Sequence, residues 1–176
     1  MGLGRVVRIR NVRSTALIYC EGAHDLAFVR YLLNLYSRNR TVKTKFRTRQ
    51  GKGGSPDTLV VEAVNVPGGF DRRLVKADRD RAPEEITKAE TIAGQRKVVI
   101  IWSKPCIEAL LLSILDGNDY SRSRSKTCKS KFENDHIPAN KRADMRAYES
   151  VFPLESIEEA RTRIPELDEL VKFIIA

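Results

Sequence analysis

Ser14-Thr15-Ala16-Leu17-Ile18-Tyr19-Cys20-Glu21-Gly22 is an apolar run of strand length that stops on an acid and a glycine. A buried strand running into a tight loop has this form. From Ala23 the period changes: Leu26, Val29, Leu33 and Tyr36 recur at three- and four-residue steps and share one helical face. The unit is strand, acidic turn, helix, and the rest of the chain is read by asking where that unit recurs.

Residues 41–49 alternate strictly, with Lys43, Lys45, Arg47 and Arg49 on one face and Val42, Thr44, Phe46 and Thr48 on the other, as an edge strand with a basic face would. Gly51 to Asp57 is a turn closing on a helix start, with Ser55 as N-cap and Pro56 at the first position. Leu59 to Val64 reads as helix, although its valines also suit a strand. Pro67-Gly68-Gly69 breaks the chain, and Leu74-Val75-Lys76-Ala77 is a short strand that delivers Asp78-Arg79-Asp80 to its carboxyl end. Pro83-Glu84-Glu85 starts a helix, Lys97 to Trp102 contains the clearest buried strand, and Pro105 opens a helix running to about Leu115. Alternation of this kind predicts an α/β fold: a parallel, Rossmann-like sheet of about four strands with helices on both faces. Ligands in such sheets bind at strand carboxyl ends. Glu21, Asp78 with Asp80, and Ser103 with Lys104 all fall there. Beyond Asp116, the serine-basic stretch Ser121 to Lys126 and later helical fragments predict a loop and helical appendage over 117–176, packed on a core of residues 1–116.

The chain has 176 residues, 41% of them hydrophobic and 31% charged, which suits one domain with a real core. No apolar run reaches the roughly 18 residues a membrane span needs. Met1-Gly2-Leu3-Gly4-Arg5 leads into basic residues without an apolar signal segment, so a cytoplasmic protein is expected. Three cysteines without a CxxC pair argue against a disulfide framework or zinc site, and read as buried thiols in a reducing compartment. The formal charge of +9 favours a polyanionic partner, nucleic acid first.

Phosphodiester cleavage requires neutralising charge at phosphorus, which carboxylates holding magnesium or manganese achieve most directly. The Asp78-x-Asp80 spacing lets two carboxylates approach one metal, with Glu21 completing the set from a neighbouring strand; the bland alternative pairs these acids with Arg79 and Arg81 on a solvated loop. Glu108 lies on the apolar stripe of its helix with Leu111, Leu112 and Leu115 and needs a partner there. A metal would serve, and so would the positive end of the helix. Asp25 falls in the first turn of its helix, where an acid needs no further function.

The segment Leu17 to Gly22 followed by Asp25, the later Asp78-Arg79-Asp80-Arg81, and Ser103-Lys104-Pro105-Cys106-Ile107-Glu108-Ala109-Leu110 resemble the three blocks of the RloB-like branch of the Toprim superfamily. The resemblance spans roughly residues 14–116. It implies a Toprim-like domain related to the nucleases of the overcoming-lysogenization-defect group: a magnesium- or manganese-dependent endonuclease on DNA or RNA, with a role in phage defence beside an ATPase or restriction-system partner. By the same resemblance Glu21 is a proton-transfer residue or metal ligand, Asp78 and Asp80 are metal ligands, and Asp25 and Glu108 allow a second metal. The chain departs from the family's pattern at Lys104, where asparagine usually precedes the proline, and at Ile107, where an aromatic usually precedes the glutamate. Lys104 is either a transition-state contact beside the metals or a solvated loop lysine. The competing expectation is a noncatalytic nucleic-acid-binding or assembly module that binds through Lys43, Lys45, Arg47 and Arg49.

Overall fold

The computed structural model describes residues 14–39 and 42–176. The readings of Met1 to Arg5 and of Thr41 lie outside the described residues. The elements alternate as expected: β1 (Ser14–Cys20), α1 (Ala23–Asn39), β2 (Thr44–Gln50), α2 (Pro56–Asn65), β3 (Arg72–Asp78), α3 (Pro83–Arg96), β4 (Val98–Ser103) and α4 (Ile107–Asp116). Four further helices follow: α5 (Ser125–Asp135), α6 (Arg146–Glu149), α7 (Leu154–Ala160) and α8 (Pro165–Ile175). The four strands form one parallel sheet in the order β2-β1-β3-β4. Among the described residues no helix is long and apolar enough to cross a membrane.

Because successive strand residues point to opposite faces, the sheet carries two apolar layers. Ala16, Ile18, Cys20, Leu74 and Ile101 face α1, α4 and the C-terminal helices, whereas Leu17, Tyr19, Val75, Ala77, Val98 and Trp102 face α2 and α3. β1 sits between β2 and β3, which is why Ala16 to Cys20 are all buried and why its sequence is apolar without alternation. From β1 the chain passes outward to β2 along one face by α1, then crosses to β3 along the other by α2. The carboxyl ends of β1 and β3 therefore flank the point where the winding reverses, the crevice in which open α/β sheets receive ligands.

One reading holds at its boundary and two differ. Residues 59–64 are helical, in keeping with Pro56 at the start of α2. β2 begins at Thr44, so Lys43 precedes it. α4 begins at Ile107, two residues after Pro105: Cys106 is extended, and the first helical N–H, that of Ile107, is taken by the Asp78 carboxylate at 2.9 Å. This capping acid comes from another strand, where local sequence cannot show it.

Residues 117–176 complete the first layer. Tyr148 and Phe152 pack against Phe28, and Phe152 also against Tyr148 and Phe132, with ring centroids 5.8–6.5 Å apart, and the Tyr31 hydroxyl donates to the Phe152 carbonyl. Phe173 of α8 meets Phe46 of β2. Each of these aromatics, on full burial, stabilises the fold by roughly 1.5–3 kcal/mol.

Candidate functional site

Glu21 follows the last residue of β1 and Asp78 ends β3, and the pairing of the two strands brings them into contact. The Asp78 N–H donates to Glu21 Oε2 at 2.9 Å, and the Arg81 guanidinium donates to Glu21 Oε1 at 2.6 Å. Asp25 enters from the first turn of α1 and Glu108 from the first turn of α4; both are buried. The four carboxylates act on one another electrostatically. Burial is the main cause that pushes the Asp25 carboxyl up to about 6; Lys76 opposes it, and Glu21 and Glu108 add to it. Burial and then the charge of Asp25 push Asp78 up to about 8, with Lys76 opposing and Glu21 and Glu108 adding. This is a concentration of negative charge at the reversal point of the sheet, the kind of perturbation found at functional sites.

Glu108 is anchored by the appendage. Burial pushes its carboxyl up, but the hydrogen bond from His24, its backbone contacts and the charge of Arg142 outweigh that and hold it below the usual range. Arg142 Nη1 stands 2.6 Å from Glu108 Oε1, its Nη2 reaches Glu133 at 2.7 Å, and His24 Nδ1 lies 3.4 Å from the same Glu108 oxygen. The partner that Glu108 needs is thus supplied in part by protein. Its other oxygen, Oε2, and Asp25 Oδ1 are buried without a hydrogen-bond donor. Such orphaned acceptors are costly in a folded protein.

Asp80 stands at the rim, where its Oδ2 accepts the Ser125 hydroxyl at 2.7 Å. Lys129 of α5 feels Glu108, Asp78 and Asp80, which together outweigh its burial and raise its ammonium above the ordinary value. Lys104 is exposed and lines a separate cavity of about 370 Å³ with Leu110, Ser113, Gly117 and Arg163. The lysine whose charge reaches Asp25 and Asp78 is instead Lys76, fully buried in β3, which donates to the Ser103 hydroxyl and lies 3.7 Å from Asp25 Oδ1. Lys76 and Arg142 were both missed by the sequence reading. Lys76 did leave a signal, since a period of two puts it on the same face as Leu74 and Asp78 in a strand apolar on both sides. Arg142 lies in a polar stretch whose pattern gives no hint of its inward path.

The basic residues form a second feature. Lys43, Lys45, Arg47 and Arg49 are all exposed along the β2 edge of the sheet. Arg47 also donates to the Pro67 carbonyl at 3.0 Å, tying the strand to the end of α2. Cys20, Cys106 and Cys128 are free and buried, as thiols packed in a core.

Hard oxygen donors suit magnesium or manganese in chemistry. Two buried carboxylate oxygens lack donors, and after burial the charges of Glu21 and Glu108 add to the cost of ionising Asp25 and Asp78. As placed, however, no three His, Cys, Asp or Glu side chains among the described residues are gathered closely enough to hold a metal ion. Hydrogen bonds from Ile107 and Ser125 occupy one oxygen each of Asp78 and Asp80, and those from the Asp78 N–H and Arg81 occupy both oxygens of Glu21. No family model matches the chain, and neither a curated protein nor a solved structure matches it.

Proposed function

We propose that this protein is a divalent-metal-dependent phosphodiesterase, an endonuclease on DNA or RNA with a Toprim-like catalytic core of the RloB-like kind. The observation that carries the reading is the meeting of Glu21, Asp25, Asp78 and Glu108 at the reversal point of the sheet, with two buried carboxylate oxygens left without donors. Asp78, Asp80, Asp25 and Glu108 would hold magnesium or manganese. The ion would supply the positive charge that stabilises a phosphoryl transition state.

The chain's own residues do the rest. Glu21, oriented by the Asp78 N–H and the Arg81 guanidinium, is placed to take a proton from an attacking water. Arg81 and Lys129 border the acids and offer positive charge to the phosphate. Lys43, Lys45, Arg47 and Arg49 hold the nucleic-acid backbone along the β2 edge without reading sequence. Lys104, turned to another cavity, has no part in this scheme. A cytoplasmic defence role beside an ATPase or restriction-system partner is the biological setting that the family resemblance suggests.

A noncatalytic nucleic-acid-binding module is the second reading, and the specific observation in its favour is that no three donors are gathered for a metal among the described residues. Asp78→Asn separates the two. It keeps the side-chain shape and removes a charged ligand, so cleavage should fall by about 100-fold or more while binding stays within about threefold. The assay covers DNA and structured RNA with magnesium, manganese or chelator. A wild-type protein that binds nucleic acid but cleaves none of these substrates in either metal would establish the binding module.

A further inference from the structure

β2 is the outer strand beside β1, and the register of the two sets Arg47 against Leu17 and Arg49 against Tyr19. Residues paired across neighbouring strands point to the same face, so Lys45, Arg47 and Arg49 share the face of the sheet that α2 and α3 cover. Among the described residues, however, the apolar layer under those helices takes no side chain from β2. A groove is left there, with the basic face of β2 as one wall and the end of α2 and the turn Pro67 to Phe70 as the other. Two cavities lie along it. One of about 280 Å³ is bordered by Thr15, Lys45, Arg47, Gly68, Gly69 and Phe70. The other, of about 380 Å³, is bordered by Tyr19, Arg49, Lys52, Glu62, Asn65 and Pro67. Arg47 donates to the Pro67 carbonyl at 3.0 Å and so joins the wall of the first to the wall of the second. Both volumes are near the lower end of small-ligand pockets, about 300–1,000 Å³.

The first cavity offers a ring. Phe70 is half-buried, with the Arg73 guanidinium 5.3 Å from its centroid. The backbone beside it is bare: Gly68 sits at φ +138°, where a Cβ would stand 2.9 Å from the Phe70 ring, and a Cβ at Gly69 would meet nothing within 4 Å. The second cavity offers hydrogen bonds, from the Asn65 amide and from Glu62, whose Oε2 accepts the Tyr19 hydroxyl at 2.8 Å. Along both, Lys45, Arg47, Arg49 and Lys52 follow one another at exposed positions, those on β2 about 6.6 Å apart. A ring, a hydrogen-bonding pocket and a line of cations match the base faces, base edges and phosphates of a nucleotide chain. A duplex would reach the cations, but its bases are paired and stacked inside it and both cavities would stay empty. The groove also has a direction. Gly51, just past β2, donates its N–H to the carbonyl of Cys20, the residue before Glu21, at 2.7 Å. A chain laid along β2 therefore ends at the edge of the sheet from which Glu21 emerges.

We propose that this groove binds a single strand of nucleic acid, one base against Phe70 and another in the cavity over Tyr19, so that the protein selects unpaired nucleic acid over duplex. The proposal rests on the nucleic-acid-binding reading above and names its substrate class. It requires no metal ion.

The test is fluorescence anisotropy of the full chain in chelator, with labelled oligothymidylate and oligouridylate of about 12 nucleotides, within the range of single-strand sites, and a duplex of the same length. The single strands should bind about tenfold tighter than the duplex or better. Phe70→Ala should weaken single-strand binding roughly 5- to 150-fold, the loss of one stacked base, and should leave its salt slope unchanged, because no charge is removed. Gly69→Leu puts a side chain into the open space of the first cavity and should weaken it by about fivefold or more. Duplex binding equal to or tighter than single-strand binding would overturn the proposal and leave the nucleic-acid reading standing, as would folded Phe70→Ala and Gly69→Leu proteins that bind the single strand like wild type. Binding of neither form would overturn both. Thermal unfolding checks each variant; where Phe70→Ala is unfolded, Gly69→Leu and the wild-type preference decide.

Discussion

Asp78 ends β3, caps α4 by accepting the Ile107 N–H, and carries a carboxyl pushed up to about 8, by burial first and then by Asp25, with Lys76 opposing. Asp25, raised to about 6 chiefly by burial, behaves alike. Both groups are raised above their ordinary value of 3.8. Their contribution to stability is therefore complete below that value and is lost as the pH climbs through about 6 and then about 8. Acids held below the ordinary value, such as Glu108 and Asp168, have finished titrating before this window opens. In chelator, the wild-type Tm should fall between pH 5 and pH 9, and Asp78→Asn should show a shallower fall. A wild-type Tm that is flat or rising across that range would contradict the assignment. At this scale the sequence was uneven. Glu21 and Asp78 could be read because each closes an apolar run at a strand end. Lys76 left only its period-two place beside Leu74 and Asp78, easily passed over because a charge inside a strand ordinarily marks a solvated face. Arg142 could not be read, because Glu108, the site acid it pairs with, lies 34 residues away.

β2 shows what alternation in an element can and cannot tell. Its basic residues are exposed and its other face is packed, with Thr44 buried and Phe46 against Phe173 of α8. Neutralising Lys43, Lys45, Arg47 and Arg49 together should flatten the salt dependence of nucleic-acid binding. The log–log slope should change by about 0.9 for each phosphate that is no longer neutralised on a duplex, and by about 0.7 on a single strand. An unchanged slope would return the strand to an ordinary solvated edge. Elements with a strong period or a clear start, such as α1, β1 and α2, fell where their residues placed them. The start of α4 did not, because Pro105 lies in a bend, Cys106 is extended, and the N–H that opens the helix is satisfied by Asp78 from another strand. The same distant hydrogen bond that blurred this boundary fastens the helix carrying Glu108 to the strand carrying Asp78.

For the whole molecule, the division at residue 116 is one of sequence composition and not of the core. The C-terminal segment brings Phe132, Tyr148, Phe152, Leu167 and Leu170 into the layer built on Phe28 and Leu32. At roughly 1.5–3 kcal/mol for each buried side chain, their removal is comparable to the whole stability of an ordinary domain, about 5–15 kcal/mol. A fragment ending at Asp116 should show no cooperative thermal unfolding by circular dichroism, whereas a cooperative transition would mean that residues 1–116 stand alone. The arrangement around Trp102, the only tryptophan in the chain, has a different kind of consequence. Its indole N–H donates to Glu90 at 3.1 Å, the guanidinium of Arg79 lies 6.0 Å from its ring, and the Arg79 N–H is bonded to the Ser103 and Pro105 carbonyls. Arg79 is the residue between Asp78 and Asp80. The molecule therefore carries its own chromophore against the acidic loop, and the colour and intensity of its ultraviolet emission hold an optical record of where that loop stands.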